Sequence, residues 1–255
     1  MRLSLATLLL SYTCAHGAPP QRPKRLSTAS FPSASPPSTE TISITALGGD
    51  PTGHNDSAPA FALAFAQAAA AASRLGLGAV GAGGLTIDLG GGTFLLSSPV
   101  QMYGQGWTLS GGTMLADARP GAWPAGGCLL NTSGFSQNVG LAGLTLDGAH
   151  VACGARVDGV VQFDVSGVFF LHYAVYGLHG ADARGASHEL MVGDCFFAEF
   201  MWGEPGFDDV AQQSGTAIWL EEQFYDSNFY DSIIRCTRVG IVNLAGANLF
   251  HGIHV

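Results

Sequence analysis

The feature that most constrains this chain is a succession of short apolar runs, separated by glycine, that begins near residue 83. Runs of four to six apolar residues bounded by glycine are typical of strands. The chain contains 36 glycines, and no segment after residue 75 has a credible helical pattern. The sequence therefore predicts an all-β fold from about residue 83 onward.

Two sets of short strings recur in this region and can be aligned. The first begins with a small residue that is followed by mostly aliphatic or aromatic residues, at 143–146, 167–170, 195–198, 232–235 and 252–255. The second begins with a glycine, at 159–160, 177–178, 215–216 and 240–241. Two phases that recur together, with length variation between them, indicate a solenoid whose coils stack strand on strand. The alternative is a sandwich, since short strands at regular spacing also suit that fold.

An alanine-rich stretch before the strands predicts a capping helix over residues 57–74. Ser57 or Asp56 can act as the N-cap, Pro59 is tolerated in the first turn, and alanine favours helix. A cap is needed because the first coil of a parallel solenoid exposes an apolar interior and unpaired strand edges. Since the stretch is apolar almost all round, we expect the helix to be covered on several sides.

The first forty residues differ in composition from the rest. Residues 1–17 combine a basic start, a short apolar run and a small-residue cleavage site, a pattern typical of a signal peptide. Residues 18–40 are rich in proline and serine and are predicted to be a linker, which leaves 41–255 as the folded domain. The apolar run is too short to span a bilayer. We therefore expect a secreted protein that does not act at a membrane.

The charge of the predicted domain limits its partners. Residues 41–255 contain six arginines, no lysine and eighteen carboxylates, a formal charge of −12. A nucleic-acid partner is not expected, because phosphate neutralisation requires clustered lysine and arginine. An acidic polysaccharide would also meet net repulsion, so a site for it needs arginines placed locally.

Four cysteines follow the predicted signal peptide, Cys128, Cys153, Cys195 and Cys236. In a secreted chain this even number permits two disulfides, with three possible pairings. None of the spacings is typical of zinc ligation by thiolates.

The order G-D-P-T-G-x-x-D-S, an alanine-rich helix and then "GLTIDLGGGTFLLSSPV" resembles the pectate-lyase-like superfamily, and more narrowly the quartet-type polygalacturonase-like proteins. The resemblance continues through "SGGTMLAD", "SGTAIWL" and "ANLFHGIHV", from about residue 41 to 255. It implies a right-handed parallel β-helix with an N-terminal capping α-helix, acting on a pectin-like acidic polysaccharide. Because such relatives continue for several more coils, the resemblance also implies that residues 41–255 are the N-terminal part of the domain.

The resemblance further implies hydrolysis, which requires one protonated and one ionised carboxyl group across the glycosidic bond. In the family 28 glycoside hydrolases the acids stand just before glycine-led strands, and Asp158 and the pair Asp208 and Asp209 occupy matching places. That family's glycine-histidine-glycine and arginine-isoleucine-lysine elements are absent from this sequence. Asp231 shares a predicted ladder with Asp194, where mutual repulsion would raise one pKa and supply a proton donor. The structural alternative for all of these is a turn, which Asp favours.

Three further residues are expected to bind substrate. Arg235 and Arg238 are cations of the later coils, and His254 stands where the quartet-type relatives carry a histidine. Hydrolysis by two carboxyl groups requires no metal ion or other cofactor.

Two other functions are also compatible with the sequence. One is a Ca²⁺-dependent lyase, in which Arg235 or Arg238 abstracts a proton and Glu221, Glu222 and Asp226 offer oxygen ligands. The other is a carbohydrate-binding or structural β-helix without turnover, because proteins with this fold include non-catalytic members.

Overall fold

The computed structural model describes residues 40–75, 84–119, 121–183, 185 and 187–255. The predicted signal peptide, and all but the last residue of the predicted linker, lie outside these residues. The α-helix α1 spans Ala58–Leu75, and a short 3-10 helix spans Thr45–Leu47. The strands are β1 (Glu40–Ser43), β2 (Thr52–Asp56), β3 (Leu85–Asp88), β4 (Thr93–Leu96), β5 (Val100–Gln105), β6 (Trp107–Ala116), β7 (Cys128–Asp147), β8 (Cys153–Asp158), β9 (Val160–Ser166), β10 (Phe169–Leu171), β11 (Tyr176–Ala181), β12 (Ser187–Gly193), β13 (Phe196–Ala198), β14 (Thr216–Leu220), β15 (Phe224–Tyr225), β16 (Asn228–Tyr230), β17 (Ile233–Arg235), β18 (Val239–Asn243) and β19 (Leu249–His251).

These strands form one sheet that curls into a half-barrel, and the registered pairings among them are parallel. The pairings fall into three columns. Column A contains β5, the start of β7, β8, β11, β14 and β18. Column B contains β1, β3, the start of β6, the middle of β7, β9, β12, β15, β16 and β19. Column C contains β2, β4, the end of β6, the end of β7, β10, β13 and β17. The prediction of stacked parallel strands is thus confirmed for the described residues, and the antiparallel sandwich is not formed.

Inward-facing side chains of neighbouring strands stack on one another and form the core. In column C, Phe170 and Phe197 lie with ring centroids 4.6 Å apart and planes 1° from parallel. In column B, Phe229 and Phe250 stack at 4.8 Å. Each fully buried phenylalanine contributes roughly 1.5–3 kcal/mol relative to an exposed one, so these ladders fix which strands lie side by side.

The first predicted set of strings forms a ladder, with a one-residue error at two of its members. The register aligns Phe169 with Phe196 and Phe196 with Ile233. The sequence alignment instead paired Phe169 with the residue that follows Phe196 and with the residue that follows Ile233. The error arises at a turn that requires a left-handed backbone. Earlier coils place glycine there, but Asp194 and Asp231 occupy it with φ of 53° and 46°. Aspartate tolerates this conformation, so an alignment keyed on small residues slips by one.

The second predicted set is correct for two of its four glycines. Gly177 and Gly240 occupy one position of column A, together with Gly154 and Ala217. Gly159 instead lies at the bend after β8, with φ of 69°. Close packing explains the glycine at 177, because a Cβ there would lie 2.7 Å from the Ala217 carbonyl oxygen and 2.8 Å from the Phe197 ring.

The predicted helix is present, but it is covered on one side only. The Ser57 carbonyl accepts the first helical hydrogen bonds, and Oδ1 of Asp56 accepts from the Ala58 N–H at 3.1 Å. The buried stripe is Ala60, Phe61, Ala64, Phe65, Ala68, Ala71 and Ala72. Leu63, on the opposite side, is 53% exposed, because the helix packs only on the first strands and alanine does not require cover. None of the helices in the described residues has the length and apolarity to cross a bilayer.

Among the described residues one disulfide is formed, between Cys128 and Cys153. These residues face each other across the register of β7 and β8. Cys195 and Cys236 are free thiols, so the second disulfide that the cysteine count permits is absent. Cys195 is buried in the core, and this burial raises the pKa of its thiol to about 11.

Candidate functional site

Column A carries a row of outward-facing side chains, one from each coil. The row follows the register, and its members are Asn131, Arg156, His179, Trp219 and Val242. All five are partly exposed, while four of the residues just before them in sequence are buried in the core. Because neighbouring parallel strands lie about 4.8 Å apart, the row forms a continuous surface along the stack.

Three titratable residues meet beside this row; we call His179, Asp182 and Glu221 the acid cluster. Nε2 of His179 lies 2.8 Å from Oε1 of Glu221. The other carboxylate oxygen of Glu221 accepts a hydrogen bond from the backbone N–H of Asp182 at 2.9 Å. Both oxygens of Glu221 are therefore fixed by groups on the neighbouring coil.

The pKa values of the two carboxyl groups of the acid cluster are shifted in opposite directions. A hydrogen bond with Glu221 raises the pKa of Asp182, and burial and the charges of Glu221 and Glu222 raise it further. Burial opposes ionisation of Glu221, but hydrogen bonds from Asp182 and His179 lower its pKa overall. The surroundings thus favour the protonated form of Asp182 and the ionised form of Glu221. Neighbouring carboxyl groups with opposite pKa shifts are typical of acid and base pairs in enzymes.

Aromatic rings border the acid cluster. The ring of Tyr176 lies 4.6 Å from that of His179 and 5.7 Å from that of Trp219, between ring centroids. All three rings are partly exposed. Aromatic faces of this kind can stack on the apolar face of a sugar ring.

A cation lies one coil before the acid cluster. Arg156 is the register partner of His179, and its side chain is 40% exposed. Its guanidinium lies 3.5 Å from the carboxylate of Asp158. This arginine is a local positive charge in an acidic domain, which any binding of a polyuronate requires.

Asp158, an expected catalytic residue, lies in column A but is buried. Its backbone N–H donates to the hydroxyl of Thr132 at 2.7 Å, and that hydroxyl donates to its carbonyl at 2.9 Å. Its register partner on the next coil is Ala181, directly before Asp182. The structure therefore brings Asp158 near the acid cluster, with its carboxylate beside Arg156 and away from solvent.

Asp208 and Asp209, the other expected catalytic pair, lie in the loop between β13 and β14. Both are exposed. The carboxylate of Asp209 accepts from the Ala211 N–H at 3.0 Å and from the side-chain amide of Gln212 at 2.9 Å. These local contacts are those of a turn, and they hold the pair on a different element from the acid cluster.

Asp231 is exposed at the turn between columns B and C, where Asp194 is its equivalent on the preceding coil. Its backbone N–H donates to the His251 carbonyl at 3.2 Å. The left-handed backbone at both aspartates fits the turn alternative.

The expected substrate-binding residues are all exposed. Arg235 ends β17 in column C, and His254 bridges to Ile233 of the same strand. Arg238 immediately precedes β18 of column A. The structure thus places Arg235 and His254 on neighbouring coils, with Arg238 at the start of the next strand.

A second surface feature is a groove of about 540 Å³ over column B. Four of its lining residues occupy equivalent positions on successive coils and share a left-handed backbone: Asn138, Gln162, Glu189 and Asp226. Asp164 also lines the groove, and burial raises the pKa of its carboxyl group.

Sequence reasoning missed the acid cluster as a unit. Glu221 entered only as an oxygen ligand for the lyase alternative, and Asp182 was not singled out. The available signal was the strand partnership of "YGLHGAD" and "TAIWLEE", in which an aromatic residue and an acid stand at the same places. The register of these two strands was needed to join them. The loop of seventeen residues between β13 and β14 lengthens this coil, so the spacing in the sequence does not predict the register.

No protein-family model matches the chain, and no curated protein matches it in sequence. Solved structures with a similar fold include a putative glycosyl hydrolase from Parabacteroides merdae ATCC 43184, with a TM-score of 0.59 and 9% identity. That superposition covers 84% of this chain and 95% of the other. Geobacillus virus E2 ORF18 superposes with a TM-score of 0.52 and 12% identity, over 84% of this chain and 42% of that protein. At these identities the likeness shows a shared fold.

Proposed function

We propose that this chain is a secreted, right-handed parallel β-helix that hydrolyses glycosidic bonds of a pectin-like polyuronate. The observation that carries the proposal is the contact between Asp182 and Glu221, which favours the protonated form of Asp182 beside an ionised Glu221. The three columns of parallel strands support the β-helix, and the fold shared with a putative glycosyl hydrolase supports a carbohydrate substrate. The disulfide is consistent with an oxidising compartment.

Asp182 is the proton donor in this proposal. Its raised pKa favours the protonated carboxyl group, which can protonate the leaving glycosidic oxygen. Glu221 maintains that state through its negative charge, and His179 fixes the orientation of Glu221 at 2.8 Å. Glu222 is exposed and close enough to influence Asp182, which suits a carboxylate that activates water.

The surroundings of the acid cluster fit a uronate sugar. Trp219 and Tyr176 supply aromatic faces for the ring. Arg156 supplies a planar cation for the sugar carboxylate, which arginine can bind through two parallel hydrogen bonds. Arg238 precedes the next strand of column A and adds a second cation further along the stack.

The groove over column B favours a second candidate function, carbohydrate binding without turnover. Its amide and carboxylate side chains repeat once per coil and could bind the hydroxyl groups of an extended glycan. A groove of about 540 Å³ has the volume of a typical ligand site.

Incubation with polygalacturonate distinguishes these functions. New reducing ends without ultraviolet absorbance indicate hydrolysis, as proposed. Absorbance from unsaturated ends would indicate β-elimination, the lyase alternative, and retention of the chain on the polymer without products would indicate binding alone. The absence of both products and retention would contradict a pectin-like substrate.

A further inference from the structure

Three turns that follow column C place two histidines and a carboxylate together. His150 follows β7, His172 follows β10 and Glu204 lies in the loop after β13. One potential ligand atom from each residue lies within 4.8 Å of the other two. Nε2 of His172 is 3.1 Å from Oε1 of Glu204. Two ligands that share one tetrahedral Zn²⁺ at the usual bond lengths are about 3.3 Å apart, so this pair already has the spacing of zinc ligands.

His172 is held in the orientation that a metal ligand needs. Its Nδ1 lies 2.9 Å from Oδ1 of Asp147, and a carboxylate at this nitrogen favours the tautomer with the proton on Nδ1. Nε2 then carries the lone pair, which is the form of the ring that can bind a metal ion. Nε2 is buried, and its contact with Glu204 lacks the geometry of a hydrogen bond. A histidine that bonds a carboxylate through one nitrogen and leaves the other unpaired is a common arrangement in zinc proteins.

The third ligand is positioned by an aromatic ring. The imidazole of His150 stacks on Phe200 with centroids 4.8 Å apart and lies 5.1 Å from the imidazole of His172.

A cavity of about 350 Å³ adjoins His150, and Glu199 and Ser214 also line it. Glu199 is buried and accepts hydrogen bonds from the backbone of Ser214 at 2.8 and 3.0 Å, so it shapes the cavity wall. Of the three ligands, His150 is the one that lines this cavity.

We propose that His150, His172 and Glu204 bind one Zn²⁺ ion. Two imidazoles and one carboxylate form a set that suits zinc, whereas Ca²⁺ and Mg²⁺ prefer oxygen ligands alone. The site lies outside the acid cluster, and the ion would join three successive turns of the stack. The proposal is therefore independent of the proposed hydrolysis.

The test is equilibrium binding of Zn²⁺ to the full chain, after removal of metals with a chelator and of any affinity tag. We expect one Zn²⁺ per chain and a rise in the thermal unfolding temperature on binding. His150→Ala and Glu204→Gln are expected to weaken binding by at least about 100-fold. Asp147→Asn removes the charge of the orienting carboxylate but keeps an oxygen that can accept the Ala149 N–H, and it is expected to weaken binding by roughly 10- to 100-fold.

His251→Ala is the matched control, because this histidine is exposed and lies in β19, outside the group of three ligands. It is expected to bind Zn²⁺ like the parent chain. Both ligand variants change exposed or half-exposed side chains, and circular dichroism of the metal-free chains verifies that they fold. Folded parent chain that binds no Zn²⁺ would overturn the proposal, and so would binding that His150→Ala and Glu204→Gln leave unchanged.

Discussion

Asp182 and Glu221 are 39 residues apart in sequence, yet the backbone N–H of Asp182 donates to a carboxylate oxygen of Glu221 at 2.9 Å. The contact exists because β11 and β14 are neighbours in column A and Glu221 follows directly after β14. The stacking of coils thus creates a pair of carboxyl groups whose pKa values are shifted in opposite directions, and the proposed hydrolysis depends on this pair.

The pH dependence of hydrolysis tests the influence of Glu221 on Asp182. Asp182 is active while protonated, and its pKa is raised by Glu221, so activity should persist above the pH at which an ordinary carboxyl group loses its proton. In Glu221→Gln the negative charge is removed and the pKa of Asp182 falls. The alkaline limb of the kcat/KM profile is then expected to move to lower pH. An alkaline limb that stays in place would contradict this role of Glu221, and Glu40→Gln, on the first strand, is the control.

Replacement of Gly177 tests the close stacking of column A. In Gly177→Ala the new Cβ meets the Ala217 carbonyl oxygen at 2.7 Å and the Phe197 ring at 2.8 Å. Overpacking of this kind costs about 1–3 kcal/mol in the free energy of unfolding, which urea denaturation can measure. Gly246→Ala is the matched control, because a Cβ there meets no atom within 4 Å. Equal stabilities of the two variants would be inconsistent with the register.

The disulfide is expected to stabilise the fold. Cys128 and Cys153 close a loop with a sequence separation of 25, for which the chain-entropy model gives about 3 kcal/mol. The double variant Cys128→Ser and Cys153→Ser should therefore unfold at a lower urea concentration. Cys236→Ser removes a free thiol and should change stability little. If both changes have the same effect, the cross-link contributes nothing.

Asp50 organises the turn before α1, and its effect on stability depends on pH. Its carboxylate accepts hydrogen bonds from the backbone N–H groups of Thr52 and Asn55, both at 2.9 Å, and from their side chains. Bonds from Thr52 above all lower the pKa of Asp50 well below its usual range. A lowered folded-state pKa stabilises the protein above the unfolded pKa of about 3.9, and this stabilisation is lost as the pH falls below that value.

Asp50→Asn should therefore lower the thermal unfolding temperature at neutral pH and have a smaller effect near pH 3. Asp88→Asn is the control, since Asp88 accepts one turn hydrogen bond, from the Gly90 N–H. A loss of stability in Asp50→Asn that is the same at both pH values would show that the charge of Asp50 is unimportant.

The sequence contained enough information for the parallel stack, because apolar periodicity and glycine spacing repeat from coil to coil. The register was less accessible. Asp194 takes a turn position that glycine holds in earlier coils, so the letters alone shift the alignment by one residue. The helix was predicted within one residue at each end. The fraction of its surface that is buried was not predicted, because alanine gives no indication of which face packs on the strands.

The acid cluster depended on a longer-range relationship. His179 and Glu221 are 42 residues apart, and the loop between β13 and β14 changes the coil length between them. The spacing of residues in the sequence does not show which residue at the end of β14 contacts His179. The aspartates of that loop were prominent in the sequence, yet at Asp209 the carboxylate serves a local turn.

The most direct test of the proposed hydrolysis compares the parent chain with Asp182→Asn on polygalacturonate at the pH of maximal activity. Loss of a general acid typically costs 10²- to 10⁴-fold in rate, and we expect a fall of that size in the release of reducing ends, with an unchanged unfolding temperature. Full activity in a folded Asp182→Asn variant would contradict the assignment. Loss of activity in Asp208→Asn or Asp209→Asn alone would instead move the catalytic site to the loop between β13 and β14.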